Sequence, residues 1–218
     1  AAIHPDGEAG DSESTVEAWI AAVELGLWRG RLDDARLALH AGRRAYRRGD
    51  DLALGLELLA LGLRLEGDRA GLARIRRSVA DQVGARSEGE ALAAEARSSG
   101  ARAGSRLAPS GIALLQVVEA EYGRTLGASD GMAWNAAADA WDRAGCPWPS
   151  AYARWQAAES LVTDRGSRDE ARDAVARAIA TVRALGAAPL EERLTSLARR
   201  ARIDVSSQDG SDSTPMAP

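Results

Sequence analysis

The amino-acid sequence predicts an all-α fold in which about nine helices stack as antiparallel hairpins into a solenoid. One observation is a repeated spacing, Trp-x10-Gly-x2-Asp-(Asp/Glu)-Ala-Arg-x-Ala, which starts at Trp19 and again at Trp155. The other is composition: Ala, Leu, Arg and Glu dominate, and no useful run alternates apolar and polar residues. A repeated helical pattern is typical of arrays in which one unit cannot bury its apolar face alone.

The first part of the chain is predicted to form N-terminal helical hairpins over residues 14–97. Residues 1–13 are polar and rich in glycine, which predicts a disordered tail. Ser14 and Glu17 have the spacing of a capping box, so we expect the first helix to begin here. Gly30 then predicts the end of this helix.

A leucine-rich helix is predicted next. From Leu52 onward the leucines fall at 4-3-4 spacing on two faces, so we expect a helix that lies between two neighbours. Gly67 predicts its end. The Arg-rich segment 69–97 is interrupted at Gly84 and Gly89, so it is either one bent helix or two.

The second part of the chain is predicted to form C-terminal helical hairpins over residues 109–203. Before it, residues 98–108 have the composition of a flexible linker. Pro109 fits the first position of a helix, where its missing amide is harmless. A second capping box is predicted at 167–170, and the Ser, Asp and Pro content of 204–218 predicts a disordered tail.

Small and aromatic residues recur at spacings that partly match the tetratricopeptide consensus, which makes the predicted solenoid TPR-like. One set comprises Trp155, Ala171, Val175 and Ala178, and the other comprises Trp19, Ala35, Leu39 and Gly42. We expect the small residues to let paired helices approach closely, and each Trp to fill the gap between repeats.

Six stretches carry a more specific resemblance, which spans nearly all of residues 15–203. They are AWNAAADAW at 133–141 with AGCPWPSAYARWQAAE at 144–159, LGAAPL at 185–190 with LARRARI at 197–203, and LGLWRGR at 25–31 with ALGLR at 60–64. Together they resemble the helical region of the large ATP-binding transcriptional regulators of the LuxR type.

The resemblance implies a cytoplasmic sensor and coupling segment, with a protein or small-molecule effector on its concave face. In such regulators the helical region joins an ATP-binding module to a C-terminal helix-turn-helix. The chain contains no Lys and therefore no phosphate loop, and after Ile203 it shows no recognition helix. The alternatives are a stand-alone TPR-like interaction module, the equivalent segment of another multidomain ATPase or nucleotide cyclase, or an enzyme that has recruited the groove.

Aromatic residues near the predicted turn at Pro147 and Pro149 are candidate groove or effector contacts. The set comprises Trp134, Trp141, Trp148 and Trp155, spaced by seven, together with Tyr152 and Arg154. The alternative is packing between helices, which we favour for the tryptophans because aromatic side chains dominate core burial.

Composition argues against several classes of function. The net charge of -4, with mixed signs along the chain, argues against direct contact with nucleic acid. The Arg clusters at 43–48, 74–77 and 199–202 fit either phosphate or acidic partners, or solvated helix ends. We expect no membrane span, because no charge-free apolar run is long enough. One Cys and two His predict no metal site, and we expect no cofactor and no catalytic arrangement of nucleophile and base.

Overall fold

The structure, a computed structural model, describes residues 12–46, 51–163 and 168–203. Over these ranges the chain forms nine α-helices and no strand, which confirms the predicted all-α class and helix number. The helices are α1 Ser12–Trp28, α2 Leu32–Tyr46, α3 Leu52–Arg76, α4 Val79–Ala103, α5 Pro109–Leu126, α6 Gly131–Arg143, α7 Pro147–Thr163, α8 Arg168–Ala184 and α9 Ala188–Ala201, with a 3-10 turn at Gly104–Arg106. None of the described helices is long and apolar enough to cross a membrane.

Each helix packs against the next one along the chain. Alternate helices also touch, since α1 contacts α3, α3 contacts α5 and α7 contacts α9. Three core clusters follow this order: one joins α1 to α3, a second joins α3 to α6, and the third joins α6 to α9 with a contribution from α5. Ala35 and Ala171, which occupy the same place in the two copies of the repeated spacing, are both buried in these clusters.

The predicted end of a helix at Gly67 is wrong, because α3 continues to Arg76. Gly67 lies against the guanidinium of Arg124, and a Cβ there would come within 2.6 Å of a guanidinium nitrogen. Its small size therefore serves close contact between α3 and α5. The helix ends at Arg76, its C-cap residue Arg77 has a left-handed φ of 56°, and α4 begins after Ser78. Segment 69–97 is thus divided between two helices, and Gly84 and Gly89 interrupt neither.

The prediction of a flexible linker at 98–108 is also wrong, because α4 continues to Ala103 and the 3-10 turn follows. Gly100 is buried within α4, and a Cβ there would meet a methyl group of Leu115 at 2.5 Å. Ala103 is likewise buried. Two of the small residues that suggested flexibility in the sequence are therefore buried, and Gly100 is a packing position between α4 and α5.

Two further predicted boundaries differ from the structure. Helix α1 begins at Ser12, so Ser14 lies inside the helix and is not its N-cap. Helix α7 begins at Pro147 and contains Pro149, because a proline in the first turn removes no intrahelical hydrogen bond. The second capping box begins at Ser167, which lies outside the described residues, as do 1–11 and 204–218 of the predicted tails.

Helical glycines provide a matched test of helix packing. A Cβ at Gly26 would lie 2.9 Å from the Cβ and 3.0 Å from the backbone of Ala35, whereas a Cβ at Gly84 would meet nothing within 4 Å. We expect Gly84→Ala to raise the free energy of unfolding by about 0.5–1 kcal/mol, because alanine favours the helix. Gly26→Ala should lower it by about 1–3 kcal/mol, because α1 and α2 must separate. Urea unfolding measures both, and equal effects of the two changes would contradict the packing described.

Candidate functional site

A cavity of about 360 Å³ is lined by α1, α3, α5, the end of α6 and the start of α7. Its walls on α3 and α5 follow from helical spacing, because residues at i, i+4, i+7 and i+11 share one face. The α3 face presents Ala53, Glu57, Ala60 and Arg64. The α5 face presents Ser110, Leu114, Val117 and Glu121.

On both faces the first wall residue is more exposed than the last one. On α3, Ala53 is exposed, Glu57 is half-buried and Arg64 is 8% exposed. On α5, Ser110 is half-buried and Glu121 is fully buried. The cavity therefore opens near Ala53 and closes near Arg64 and Glu121.

An aromatic cluster connects α1 to α7 beside the closed end. The ring centroid of Trp28, the last residue of α1, lies 5.7 Å from that of Trp148, 6.5 Å from that of Tyr152 and 6.4 Å from that of Trp155. Trp134 of α6 contacts Tyr152 edge to face at 6.0 Å. Such tilted and edge-to-face pairs are favourable for aromatic rings. The first described helix is thus in contact with the seventh.

Two guanidinium groups lie over the rings of this cluster. The Cζ of Arg64 is 4.7 Å from the centroid of Trp28 and 4.3 Å from that of Tyr152. The Cζ of Arg193, on α9, is 4.9 Å from the centroid of Trp28 and 5.3 Å from that of Trp155. Trp28 therefore makes two cation–π contacts, which link α1 to α3 and to α9.

Buried charges form a network at the closed end of the cavity. The carboxylate of Glu121 accepts hydrogen bonds from Arg124 Nε at 2.7 Å and from the Tyr152 hydroxyl at 2.8 Å. Gln156 in turn donates to that hydroxyl. Burial acts to lower the pKa of Arg124, but the carboxylates of Glu121 and Asp68 outweigh it and raise that pKa. Burial raises the pKa of Tyr152, so its hydroxyl keeps the proton that it donates.

Two carboxylates in the cavity wall have no such partner. Glu24 of α1 and Glu57 of α3 make no ion pair within 4 Å with any residue that the structure describes. Burial raises the pKa of Glu57 above 4.5, and the negative charges of Glu24 and Glu17 raise it further. Ionisation of Glu57 is therefore less favourable in the folded chain than in water.

The raised pKa of Glu57 predicts a pH-dependent gain from Glu57→Gln. The native state holds this proton more tightly than the unfolded chain, so stability falls as pH rises from 4.5 through the raised pKa. At pH 7 we expect the variant to melt at a higher temperature than the wild type, with little difference at pH 4. Thermal unfolding followed by circular dichroism measures this. Glu90→Gln, on the exposed face of α4, controls for the loss of one charge, and an equal gain from it would refute the prediction.

The structure places three of the six predicted contact residues in the cavity wall, namely Trp141, Trp148 and Tyr152. The other three are buried outside it. Trp134 is fully buried, and its Nε1 donates to the Ser129 hydroxyl at 3.2 Å. Trp155 packs in the aromatic cluster.

Arg154 is 5% exposed and pairs with Asp142 and Asp139 of α6. These ion pairs join the facing helices α6 and α7. The side chain is not part of the cavity wall.

Several wall residues were not among the sequence-based candidates. Glu57 and Arg64 interrupt the leucine-rich helix on a face shared with Ala53 and Ala60. The sequence signal for these two wall residues was a pair of charged side chains at i and i+7 in an otherwise apolar helix. A helix that lies between neighbours rarely carries charged residues on its buried faces. The position of Trp28 has no such local signal, since it depends on how seven helices pack.

In the described ranges, no three His, Cys, Asp or Glu side chains lie close enough together to hold a metal ion. Over the described ranges, the fold and the cavity define an all-helical protein with a mixed aromatic and charged pocket lined by five of its helices. No family model, curated protein or solved structure matches the chain.

Proposed function

We propose that this chain is a non-catalytic, TPR-like helical-repeat domain that senses an effector in the cavity lined by α1, α3, α5, α6 and α7. The observation that carries the proposal is the cavity itself. Its volume of about 360 Å³ lies within the range of small-molecule sites, and its wall combines apolar surface with a few charged groups. An effector bound there would contact residues from several helices at once.

The order of helix contacts supports a repeat architecture. Successive helices pack against one another, and four of the five helices that line the cavity, α1, α3, α5 and α7, are alternate ones along the chain. In a solenoid of helical hairpins, one helix of every pair faces the concave side, so alternate helices would line a common groove. The cavity would then be the part of the concave face that Trp28 closes by contact with α7.

Sensing requires that the effector bind two conformations with different affinity. Trp28 contacts Arg64, Trp148 and Tyr152, and the same three residues line the cavity. An effector in the cavity would therefore change the stability of the contact between Trp28 and α7. Binding in the cavity would stabilise the closed arrangement of α1 against α7. That arrangement would be the signal passed on.

The resemblance noted in the sequence supports a place in a LuxR-type transcriptional regulator. Effector binding would then be coupled to an ATP-binding module and a helix-turn-helix outside this chain. Sequencing the flanking coding region tests this part alone. A phosphate-loop ATPase before the segment and a helix-turn-helix after it are expected, and the absence of both from the full-length protein would contradict the assignment.

Thermal-shift screening of the purified chain against a diverse set of small molecules tests the sensing function. At least one compound should raise the melting temperature of the wild type, since a ligand that binds the native state stabilises it by mass action. Ala53→Trp blocks the open end at an exposed position and should abolish the shift. Ala80→Trp, at an exposed position on α4 outside the cavity wall, is the matched control. Shifts that persist in Ala53→Trp, or the lack of any shift, would refute the cavity as an effector site.

A further inference from the structure

The charged groups of the cavity wall specify the class of effector more closely, on the basis of the proposed function. Three of them have no oppositely charged partner within 4 Å among the described residues: the carboxylates of Glu24 and Glu57 and the guanidinium of Arg64. The fourth, Glu121, is neutralised by Arg124. A complementary ligand would supply one positive and one negative group.

Arg64 provides the site for the negative group. Its side chain is among the most buried charged groups of the chain, at 8% exposed, and it lines the cavity. The faces of its guanidinium lie against Trp28 and Tyr152, but none of its N–H groups donates to a described residue. Its free N–H donors are not among the fully buried polar atoms without a partner, so they remain accessible from the cavity, and their planar fork matches a carboxylate. The unused donors therefore indicate an anionic group in the closed end.

Glu24 and Glu57 provide the site for the positive group. Both side chains line the cavity, and after burial the charge of Glu24 contributes to the raised pKa of Glu57. An ammonium placed between them would relieve this repulsion. Glu57 and Arg64 lie seven residues apart on one face of α3, about 10 Å along the helix axis. The two sites are thus separated along the cavity.

The wall between the charged positions is apolar and aromatic. Leu61, Leu114 and Val117 come from α3 and α5, and Trp148 from α7. A hydrocarbon segment between the two ends of a ligand would be buried against these side chains. Trp148 adjoins Trp28 at 5.7 Å, so an occupant would also touch the contact between α1 and α7.

We propose that the cavity binds a dipolar amino-carboxylate, with its ammonium at Glu24 and Glu57, its carboxylate at Arg64 and its hydrocarbon part against Leu61, Leu114 and Trp148. Amino acids, longer ω-amino acids and short peptide-like molecules share this chemistry. The separation of the two sites favours members in which several methylene groups lie between the ammonium and the carboxylate.

Isothermal titration calorimetry with three matched probes tests the proposal on the wild-type chain. The probes are 6-aminohexanoate, hexylamine and hexanoate, and 1-hexanol serves as the uncharged analogue. We expect 6-aminohexanoate to bind about tenfold or more tightly than either singly charged probe, because each end adds a charge-assisted hydrogen bond. Equal affinity for 6-aminohexanoate and hexylamine, or for 6-aminohexanoate and hexanoate, would overturn the dipolar assignment.

Two variants assign the ends of the probe. Glu57→Gln should weaken 6-aminohexanoate and hexylamine but leave hexanoate unchanged. Arg64→Lys keeps the charge but loses the planar fork, and it should weaken 6-aminohexanoate and hexanoate but not hexylamine. The reverse pattern, or equal loss for all probes in both variants, would overturn the proposed orientation.

The outcomes separate this inference from the proposed function. Binding of 1-hexanol as tight as that of 6-aminohexanoate, abolished by Ala53→Trp, would refute the dipolar ligand and leave a sensing cavity for neutral molecules. If none of the four probes binds, the dipolar ligand is also refuted. The sensing function is then tested separately by the broad thermal-shift screen.

Discussion

Replacing Glu121 with glutamine is expected to lower the free energy of unfolding by about 3 kcal/mol. The carboxylate is fully buried, accepts hydrogen bonds from Arg124 and Tyr152, and balances the charge of Arg124. Removing one partner of a buried ion pair costs about 3–5 kcal/mol, because the other charge stays in a medium of low dielectric. Asp68 also pairs with Arg124, at 2.7 Å, and would still balance its charge in the variant. We therefore expect a loss at the lower end of this range.

The matched control is Glu119→Gln on the same helix. Glu119 pairs with Arg97 at 2.6 Å, but both side chains are about half exposed. Exposed ion pairs contribute about 0–1 kcal/mol, so this change should have little effect. Urea unfolding at pH 7 measures both variants. Similar losses at the two positions would mean that the network around Glu121 is not buried as described.

Trp134→Ala is expected to cost about 3–5 kcal/mol, the range for deleting a large buried aromatic side chain. Trp134 is 0% exposed, donates a hydrogen bond to Ser129 and packs edge to face on Tyr152. The surrounding alanines, Ala137 and Ala138 among them, have no side-chain reach with which to fill the space. The loss of stability should therefore include both the lost transfer free energy of the ring and the cost of the cavity that remains.

Trp148→Ala provides the contrast. Trp148 is only partly buried and already borders an open cavity, so its removal enlarges a space that water can enter. We expect a smaller cost, about 1–2 kcal/mol from lost apolar contact. Thermal and urea unfolding of both variants measure the difference, and a larger loss at Trp148 than at Trp134 would reverse the burial order.

The fold class was predictable because helix-forming composition and apolar periodicity are local and point the same way along the chain. The helix ends were less predictable. Gly67 and Gly100 look like breaks in the sequence, but each is a contact point where another helix comes too close for a Cβ. A glycine that ends a helix and one that lets a second helix approach look alike until the neighbour is known.

The candidate site was predictable in part. The aromatic run drew attention to α6 and α7, and Trp141, Trp148 and Tyr152 of that run line the cavity. The same run contains Trp134 and Trp155, which pack elsewhere, because aromatic side chains serve cores and sites alike. Glu57 and Arg64 were not predicted as site residues, because they lie within the leucine-rich stretch of α3.

The contact between Trp28 and α7 is the feature on which the cavity depends, because α1 supplies both Glu24 and the ring that reaches Trp148 and Tyr152. Nuclear Overhauser spectra of the assigned chain measure it directly. Cross-peaks between the indole protons of Trp28 and the ring protons of Tyr152 or Trp148 are expected, since the centroids lie 5.7–6.5 Å apart. Their absence, with the rings assigned and with cross-peaks present between Trp134 and Tyr152, would show that α1 does not close the cavity.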